Sequence, residues 1–136
     1  MVKEVKSRAA RSEPTEAELE ILEVLWDRGP STVAETAAKL PHRPGYTTVL
    51  KLLQIMLGKG WVERDESSRR HVYAARVTRS EARSRLVGNL LRRAFGGSPS
   101  GLVLHALESQ PVSEEELEKI EAALAEARRR RDEETS

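Results

Sequence analysis

The sequence contains no cysteine, which excludes disulfides, thiolate metal sites and a thiol nucleophile. Aromatic side chains are scarce: one Phe, two Tyr and two Trp in 136 residues. A core without them has to rest on Leu, Val and Ala, a composition that favours helices. No apolar run approaches the length of a membrane span. The opening Met1-Val2-Lys3-Glu4-Val5-Lys6 has no apolar stretch of the kind a secretory leader carries. The expectation is a soluble cytoplasmic protein with no membrane insertion. Charge of one sign is missing too: 23 Lys and Arg against 22 Asp and Glu leave a net +1, so the total gives no polyanion-binding signature. The length suits one domain, or one small domain with an appendage.

What is present is a series of helix starts. Lys3, Lys6, Arg8 and Arg11 sit among small residues and read as a basic arm over 1–13. Pro14-Thr15-Glu16-Ala17-Glu18 then opens a helix with a capping box, Thr15 to the N–H of Glu18 and Glu18 back to Thr15. Leu19, Leu22, Val24, Leu25 and Trp26 supply its apolar side, and Gly29-Pro30 stops it. Thr32 and Glu35 repeat the box, starting a helix over about Val33–Leu40 whose packing side is Val33, Ala34, Ala37, Ala38 and Leu40. Pro41-His42-Arg43-Pro44-Gly45 breaks the chain.

A third helix runs Tyr46–Leu57, followed by Gly58-Lys59-Gly60-Trp61 and so by a glycine stop. Val49, Leu52, Leu53, Met56 and Leu57 recur at helical spacing on one face, and Thr47, Thr48, Lys51 and Gln54 lie on the other. After it the period changes to that of strands: Trp61–Asp65, a polar turn at Glu66-Ser67-Ser68-Arg69, then Arg70–Ala74. Helix, short helix, helix and hairpin is the outline of a winged helix–turn–helix. Charge is polarised along it. Residues 14–40 hold two basic and six acidic side chains, −4, while 41–76 hold seven basic and three acidic, +4. The near-zero total conceals a positive half where a DNA-facing surface would lie.

The remainder reads as three helices, making the fold class mainly α with one small β-hairpin. Thr78 and Glu81 form a third box before Leu86, Val87, Leu90, Leu91 and Ala94. Ser98 caps the next helix, with Pro99 in its first turn and Leu102, Val103, Leu104, Ala106 and Leu107 along it. Ser113 and Glu116 give a fourth box before a narrow stripe of Leu117, Ile120, Leu124 and Ala127. Glutamates in its first turn and Arg128-Arg129-Arg130-Arg131 near its end suit the helix dipole, which accounts for the arginine run without nucleic acid. Three short helices over 77–132 cannot enclose a core alone. Across a polar hinge from the winged helix, their economical partner is the same segment of a second chain, with 133–136 a disordered tail. A two-fold homodimer follows, with Leu86, Leu90, Leu91, Leu102, Leu104, Leu107, Leu117, Ile120 and Leu124 as its dimerisation residues.

With helix and hairpin placed, the sequence resembles the penicillinase repressor (BlaI/MecI/CopY) family of bacterial transcriptional regulators. The likeness is carried by Thr15-Glu16-Ala17-Glu18-Leu19-Glu20-Ile21-Leu22-Glu23-Val24-Leu25-Trp26. It continues in Tyr46-Thr47-Thr48-Val49 with Leu53-Gln54, in Lys59-Gly60-Trp61-Val62, and in Arg70 with Val72-Tyr73. It covers 14–76 well; Gly101-Leu102-Val103-Leu104-His105-Ala106-Leu107 is similar in pattern and less distinctive. The resemblance implies a winged-helix repressor, a homodimer on a palindromic operator of double-stranded DNA, working in the cytoplasm at the nucleoid. It further implies a membrane sensor metalloprotease as partner, triggering cleavage in the helix around Leu102–Glu108. The family bond joins an Asn to a Phe, whereas the aligned pair here is His105-Ala106. The copper-sensing branch ends in a cysteine motif that this chain lacks.

A helix entering the major groove meets phosphates with its N-terminus and base edges with its first exposed side chains. Thr47 and Thr48 can bond phosphates or bases and offer methyls to thymine, and Lys51 reaches the groove wall or a guanine. Tyr46 can bond a phosphate through its hydroxyl; equally, its ring can pack on the second helix. Thr32 suits a backbone contact, though capping already explains it. Arg43 precedes the helix, and Arg69 and Arg70 sit at the hairpin tip, placed for phosphate or minor groove. Gln54 reads as structural. His42, His71 and His105 lack any paired spacing for a metal, so no cofactor is expected. Gly96–Gly101 lacks the lysine and preceding strand of a phosphate loop, and no nucleophile–base motif marks an enzyme. A second class of function stays open, a winged-helix module that binds an acidic protein without sequence-specific DNA binding, because fold alone does not settle function.

Overall fold

A computed structural model describes residues 13–135 of the chain, so the basic arm expected over 1–13 lies outside the described residues except for Glu13. The helices are α1 (Glu16–Arg28), α2 (Val33–Lys39), α3 (Tyr46–Lys59), α4 (Arg79–Ala94), α5 (Pro99–Ser109) and α6 (Glu114–Thr135). The strands are β1 (Ser31–Thr32), β2 (Val62–Asp65) and β3 (Val72–Ala75). They form one antiparallel sheet in the order β1-β3-β2. The chain is therefore mainly helical with a small sheet, the winged-helix class with further helices after it.

Local chemistry sets the helix starts. Thr15, Thr32 and Thr78 each accept the N–H three residues on, and Glu18, Glu35 and Glu81 each accept the threonine N–H in return. Each reciprocal pair satisfies two of the N–H groups that a helix start leaves free. The expected fourth box forms only by half. Ser113 accepts from the Glu116 N–H at 3.1 Å, and no return bond from Glu116 is made among the described residues. α3 also departs from its expected end. Gly58 lies inside the helix, and the stop is Gly60, at φ 83°, a left-handed conformation that glycine adopts without steric cost.

The core is Ile21, Leu22 and Leu25 from α1, Val33 and Leu40 around α2, Val49, Leu53 and Met56 from α3, and Trp61, Val62, Tyr73 and Val77 from the hairpin and its exit. Ala34 and Ala38, expected on the packing side of α2, are exposed. Thr36 is buried instead, its hydroxyl donating to the Thr32 carbonyl at 2.8 Å. Val33, Thr36 and Leu40 step by three and four and define the inward face; Ala34 and Ala38 fall off it. β1 has no counterpart in the sequence reading. Its two residues pair with β3, Ser31 with Tyr73 and Thr32 with Val72, and turn the hairpin into a three-stranded sheet.

α1 and α3 are tied by a long-range ion pair. Glu18, 1% exposed, receives the Lys59 ammonium at 2.9 Å on one carboxylate oxygen and the Thr15 N–H at 2.9 Å on the other.

The polar hinge expected after residue 76 is packed. The Trp26 indole N–H donates to the Val77 carbonyl at 2.9 Å. The Arg79 guanidinium lies 5.2 Å over the Trp26 ring and pairs with Glu23 and Asp27, which raise its pKa, Asp27 first. One turn on, Ala82 is fully buried, and Arg85 lies 4.9 Å over the buried Trp61 ring. Asn89 and Arg93 then reach Glu13. The first turns of α4 thus belong to the same packed body as the winged helix.

Beyond α4 the picture reverses: no residue of α5 or α6 is buried. α6 continues through Thr135, where a disordered tail was expected from 133. Its last turn holds Asp132, Glu133 and Glu134, with no basic residue in it. Arg128–Arg131 therefore sits short of the helix end, and the dipole account of that run fails.

Candidate nucleic-acid interface

α3 presents two faces of opposite character. Val49, Leu53 and Met56 are buried, with Leu50, Leu52 and Leu57 partly buried beside them. Thr47, Thr48, Lys51, Gln54, Ile55 and Gly58 are all exposed. At 100° per residue they form one continuous stripe along the helix. Gln54 is on that stripe as its spacing predicts, and Ile55, 42% exposed and not among the expected polar-face residues, joins it. The signal for Ile55 was available in the i, i+4 step from Lys51.

The start of α3 differs chemically from the others. Its N-cap is Gly45, with no side-chain cap bond, whereas α1, α2, α4 and α5 are each capped by Thr or Ser. Its first N–H groups stay open to an anion. The turn that delivers it passes through His42 at φ 64° and Arg43 at φ 41°, two successive left-handed non-glycine residues that cost about 1–2 kcal/mol each. Packing of α2 and α3 on either side has to hold that turn.

Between α2, the start of α3 and the hairpin lies a cleft of about 450 Å³, lined by Thr32, Val33, Ala34, Tyr46, Leu50, Arg69, Arg70, His71 and Tyr73. Four of the eight predicted contact residues meet there: Thr32, Tyr46, Arg69 and Arg70. Arg43 lines an adjoining depression with Ala34, Ala37, Ala38, Pro44 and Tyr46. Tyr46, 57% exposed, stands between the two, neither buried nor free of α2. Thr47, Thr48 and Lys51 line neither cleft; they occupy the outer stripe. His71, treated from sequence as structural or solvated, is exposed on the cleft wall. Thr32 keeps a role in both accounts: its oxygen accepts the Glu35 N–H at 3.2 Å, which leaves its own O–H to donate.

Ion pairing divides the cations of the winged helix. Arg28 pairs with Glu35, Lys59 with Glu18, Arg64 with Glu66, and Arg79 with Glu23 and Asp27. Arg64 also bonds Tyr73, the main reason its pKa is raised. Among the described residues, Arg43, Lys51, Arg69 and Arg70 are exposed and take part in no ion pair. Glu35, Asp65 and Glu66 are engaged by other groups. The Thr32 backbone N–H, then Arg28, lowers the Glu35 pKa, and the Ser67 hydroxyl and N–H lower that of Asp65. The surface around α3 is a field of uncompensated cations with an open helix start.

His105 and Ala106 lie in α5, both exposed, with the His105 ring 6.0 Å from Phe95. Their carbonyls accept from Ser109 Oγ at 2.7 Å and from the Gln110 N–H at 3.1 Å, so the peptide bond between them sits in intact helix. Among the described residues no helix is long and apolar enough to cross a membrane.

Three helices closed by an antiparallel wing, with the third helix exposing a polar and cationic stripe, define a winged helix–turn–helix protein. The chain belongs to the penicillinase repressor family of transcriptional repressors, whose family model matches residues 14–126. It is similar to the penicillinase repressor of Bacillus licheniformis, 25% identical over 121 residues, which cover 88% of this chain and 94% of that protein. It is also similar to the methicillin resistance regulatory protein MecI of Staphylococcus aureus, 20% identical over 110 residues, 79% of this chain and 89% of that one.

Proposed function

We propose that the protein is a sequence-specific DNA-binding repressor that acts as a homodimer on a palindromic operator in the cytoplasm. The observation that carries this reading is the α3 surface, where an uncapped helix start and the unpaired Arg43, Lys51, Arg69 and Arg70 share one side of the molecule with the cleft at the wing. In this reading Thr47, Thr48 and Lys51 enter the major groove and the α3 N–H groups hold a phosphate. Thr32, Arg43 and Tyr46 fix the backbone from one side, and Arg69 and Arg70 from the wing. Phosphate contacts set register and affinity; the outer stripe supplies discrimination.

The homodimer rests on exposed apolar side chains after the winged helix. Val87, Leu90, Val103, Leu104 and Leu124 are 38–58% exposed, and Leu86, Leu91, Leu102, Leu107, Leu117 and Ile120 are only partly covered. A second copy covering them sets two α3 helices on one DNA face, as two-fold half-sites require. For release by a sensor metalloprotease, the bond to test is His105–Ala106, and a protease would have to unwind α5 to reach it.

The decisive experiment is footprinting and gel shift on DNA from the protein's own promoter region. A protected palindrome is expected, with affinity falling roughly ten- to a thousandfold over a fewfold rise in salt. Lys51→Ala should cost about 1–3 kcal/mol in specific binding. Binding that is absent or indifferent to salt sinks the proposal, and a shift untouched by charge reversal at Arg69 and Arg70 would point to an acidic protein as the partner instead.

A further inference from the structure

α6 is the longest helix of the chain and the least covered. Its 22 residues rise about 33 Å, and every side chain from 121 to 135 is exposed. Leu117, Ile120, Leu124 and Ala127 advance by three, four and three, the spacing of a coiled-coil seam. Leu117 and Leu124 take the a positions of that seam, Ile120 and Ala127 the d positions. Its edges are charged in blocks. On one edge lie Glu114, Glu121 and Arg128, and on the other Glu116, Ala123 and Arg130, so each runs from acid to base along the helix. Arg128 and Arg130 lie beyond residue 126, where the family match ends. With the last turn acidic, the helix dipole does not account for them.

The pattern is complementary to itself when reversed. We propose that α6 pairs with α6 of a second copy in antiparallel fashion, about a two-fold axis level with residue 122. Leu117 then meets the partner's Ala127 and Ile120 meets the partner's Leu124, the a-against-d layering of antiparallel coils. Glu114 faces the partner's Arg128 and Glu116 faces the partner's Arg130, and each pair recurs by symmetry. A parallel alignment would instead set Glu116 beside the partner's Glu121, Ala123 beside the partner's Arg128 and Arg130 beside the partner's Thr135, with no opposite charges facing. Like charges at such edges disfavour a pairing, and opposite ones select it. The acid-to-base order of the edges therefore chooses the direction, and the apolar seam supplies the contact. Glu121 is the one mismatched group, facing its own symmetry mate near the axis.

This inference rests on the homodimer reading above, and the test separates the two. The chain has no cysteine, so introduced thiols report without background. Glu116→Cys and Arg130→Cys chains, co-expressed and oxidised, should cross-link to each other on a non-reducing gel, while either chain alone should not. In sedimentation equilibrium, Arg128→Glu with Arg130→Glu should weaken self-association of the full chain about tenfold or more, and adding Glu114→Arg with Glu116→Arg should restore it. Glu121→Gln should tighten it. A dimer that cross-links only between like chains, or that ignores both charge changes, overturns the antiparallel pairing and leaves the homodimer standing. A chain that stays monomeric at every concentration overturns the homodimer as well.

Discussion

The winged helix and the helices after α4 use similar side chains to opposite ends. In the first, Ile21, Leu22, Val49, Leu53, Met56 and Trp61 are wholly out of solvent, and the acid among them, Glu18, has a cation on it. In α5 and α6, Leu104 and Leu124 remain more than half exposed, and nothing is buried. Leucine in one region has finished its work inside the chain; leucine in the other has not. The difference does not follow from composition, because both regions are rich in Leu and Ala. It follows from topology. Three helices and a wing close around a common centre, whereas α5 and α6 follow α4 outward with no second layer to meet.

The sharpest way to test that contrast is to make the same deletion in each region. Leu53→Ala removes a fully buried side chain from α3 and should destabilise the chain by about 2–5 kcal/mol in urea unfolding, at any protein concentration. Leu104→Ala, at 58% exposure, should leave the unfolding of the winged helix alone and act on self-association. If dilution changes the Leu53→Ala effect as much as the Leu104→Ala effect, the two regions are not energetically separate.

Ion pairs offer the same comparison at smaller scale. Lys59→Met leaves the Glu18 carboxylate buried with only the Thr15 N–H on it, and should cost about 1–3 kcal/mol. Breaking the exposed Arg129–Glu126 pair of α6 by Arg129→Met should change stability by less than can be measured. Equal effects would mean that Glu18 reaches water in solution.

How much of this was legible in the sequence divides along the range of the interactions. The Thr-x-x-Glu boxes at Thr15, Thr32 and Thr78 are local, and each starts its helix where the spacing says. The buried side of α3 and the hairpin follow from period. Two local expectations shift: α3 ends at Lys59 before Gly60 and not at Leu57, and α2 packs with Thr36 buried while Ala34 and Ala38 are exposed. Each is decided by tertiary context, since a threonine hydroxyl that bonds its own helix can be buried like an alanine. What spans the chain was invisible. Lys59 on Glu18, Trp26 on Val77 and the pairing of β1 with β3 join residues about 40 to 50 positions apart, with no periodicity to announce them. For the candidate interface, residue types and their order were readable, while the pairing state that distinguishes Arg69 from Arg64 was not.

The joint between the regions is the next place to probe. Trp26→Phe keeps a ring near Arg79 and removes the N–H that holds the Val77 carbonyl, so it should cost about 0.5–1.5 kcal/mol. The comparison sharpens if the variant also loosens α4, which hydrogen exchange of the α4 amides reads directly. Protection unchanged in α4 would mean that Arg79 and Ala82 secure the joint without the indole.

The smallest effect expected is on the acid side of stability, and it too belongs to one region. Glu35 and Glu81 are held below the usual glutamate value of 4.5, chiefly by the N–H groups of Thr32 and Thr78, and Asp65 below 3.8 by Ser67. A carboxylate whose folded pKa is depressed stabilises the fold above its unfolded value and loses that contribution as pH falls through the folded one. The loss should therefore begin below about pH 4.5 and deepen as these groups protonate. Glu35→Gln with Glu81→Gln retains capping geometry, since glutamine can bond the same N–H, but removes the titration. The urea midpoint of the double variant should start lower near neutral pH and fall less steeply toward about pH 3 than that of the unaltered chain. Parallel slopes would show that the two boxes do not govern acid unfolding, and would leave Asp65 of the wing as the next carboxylate to test.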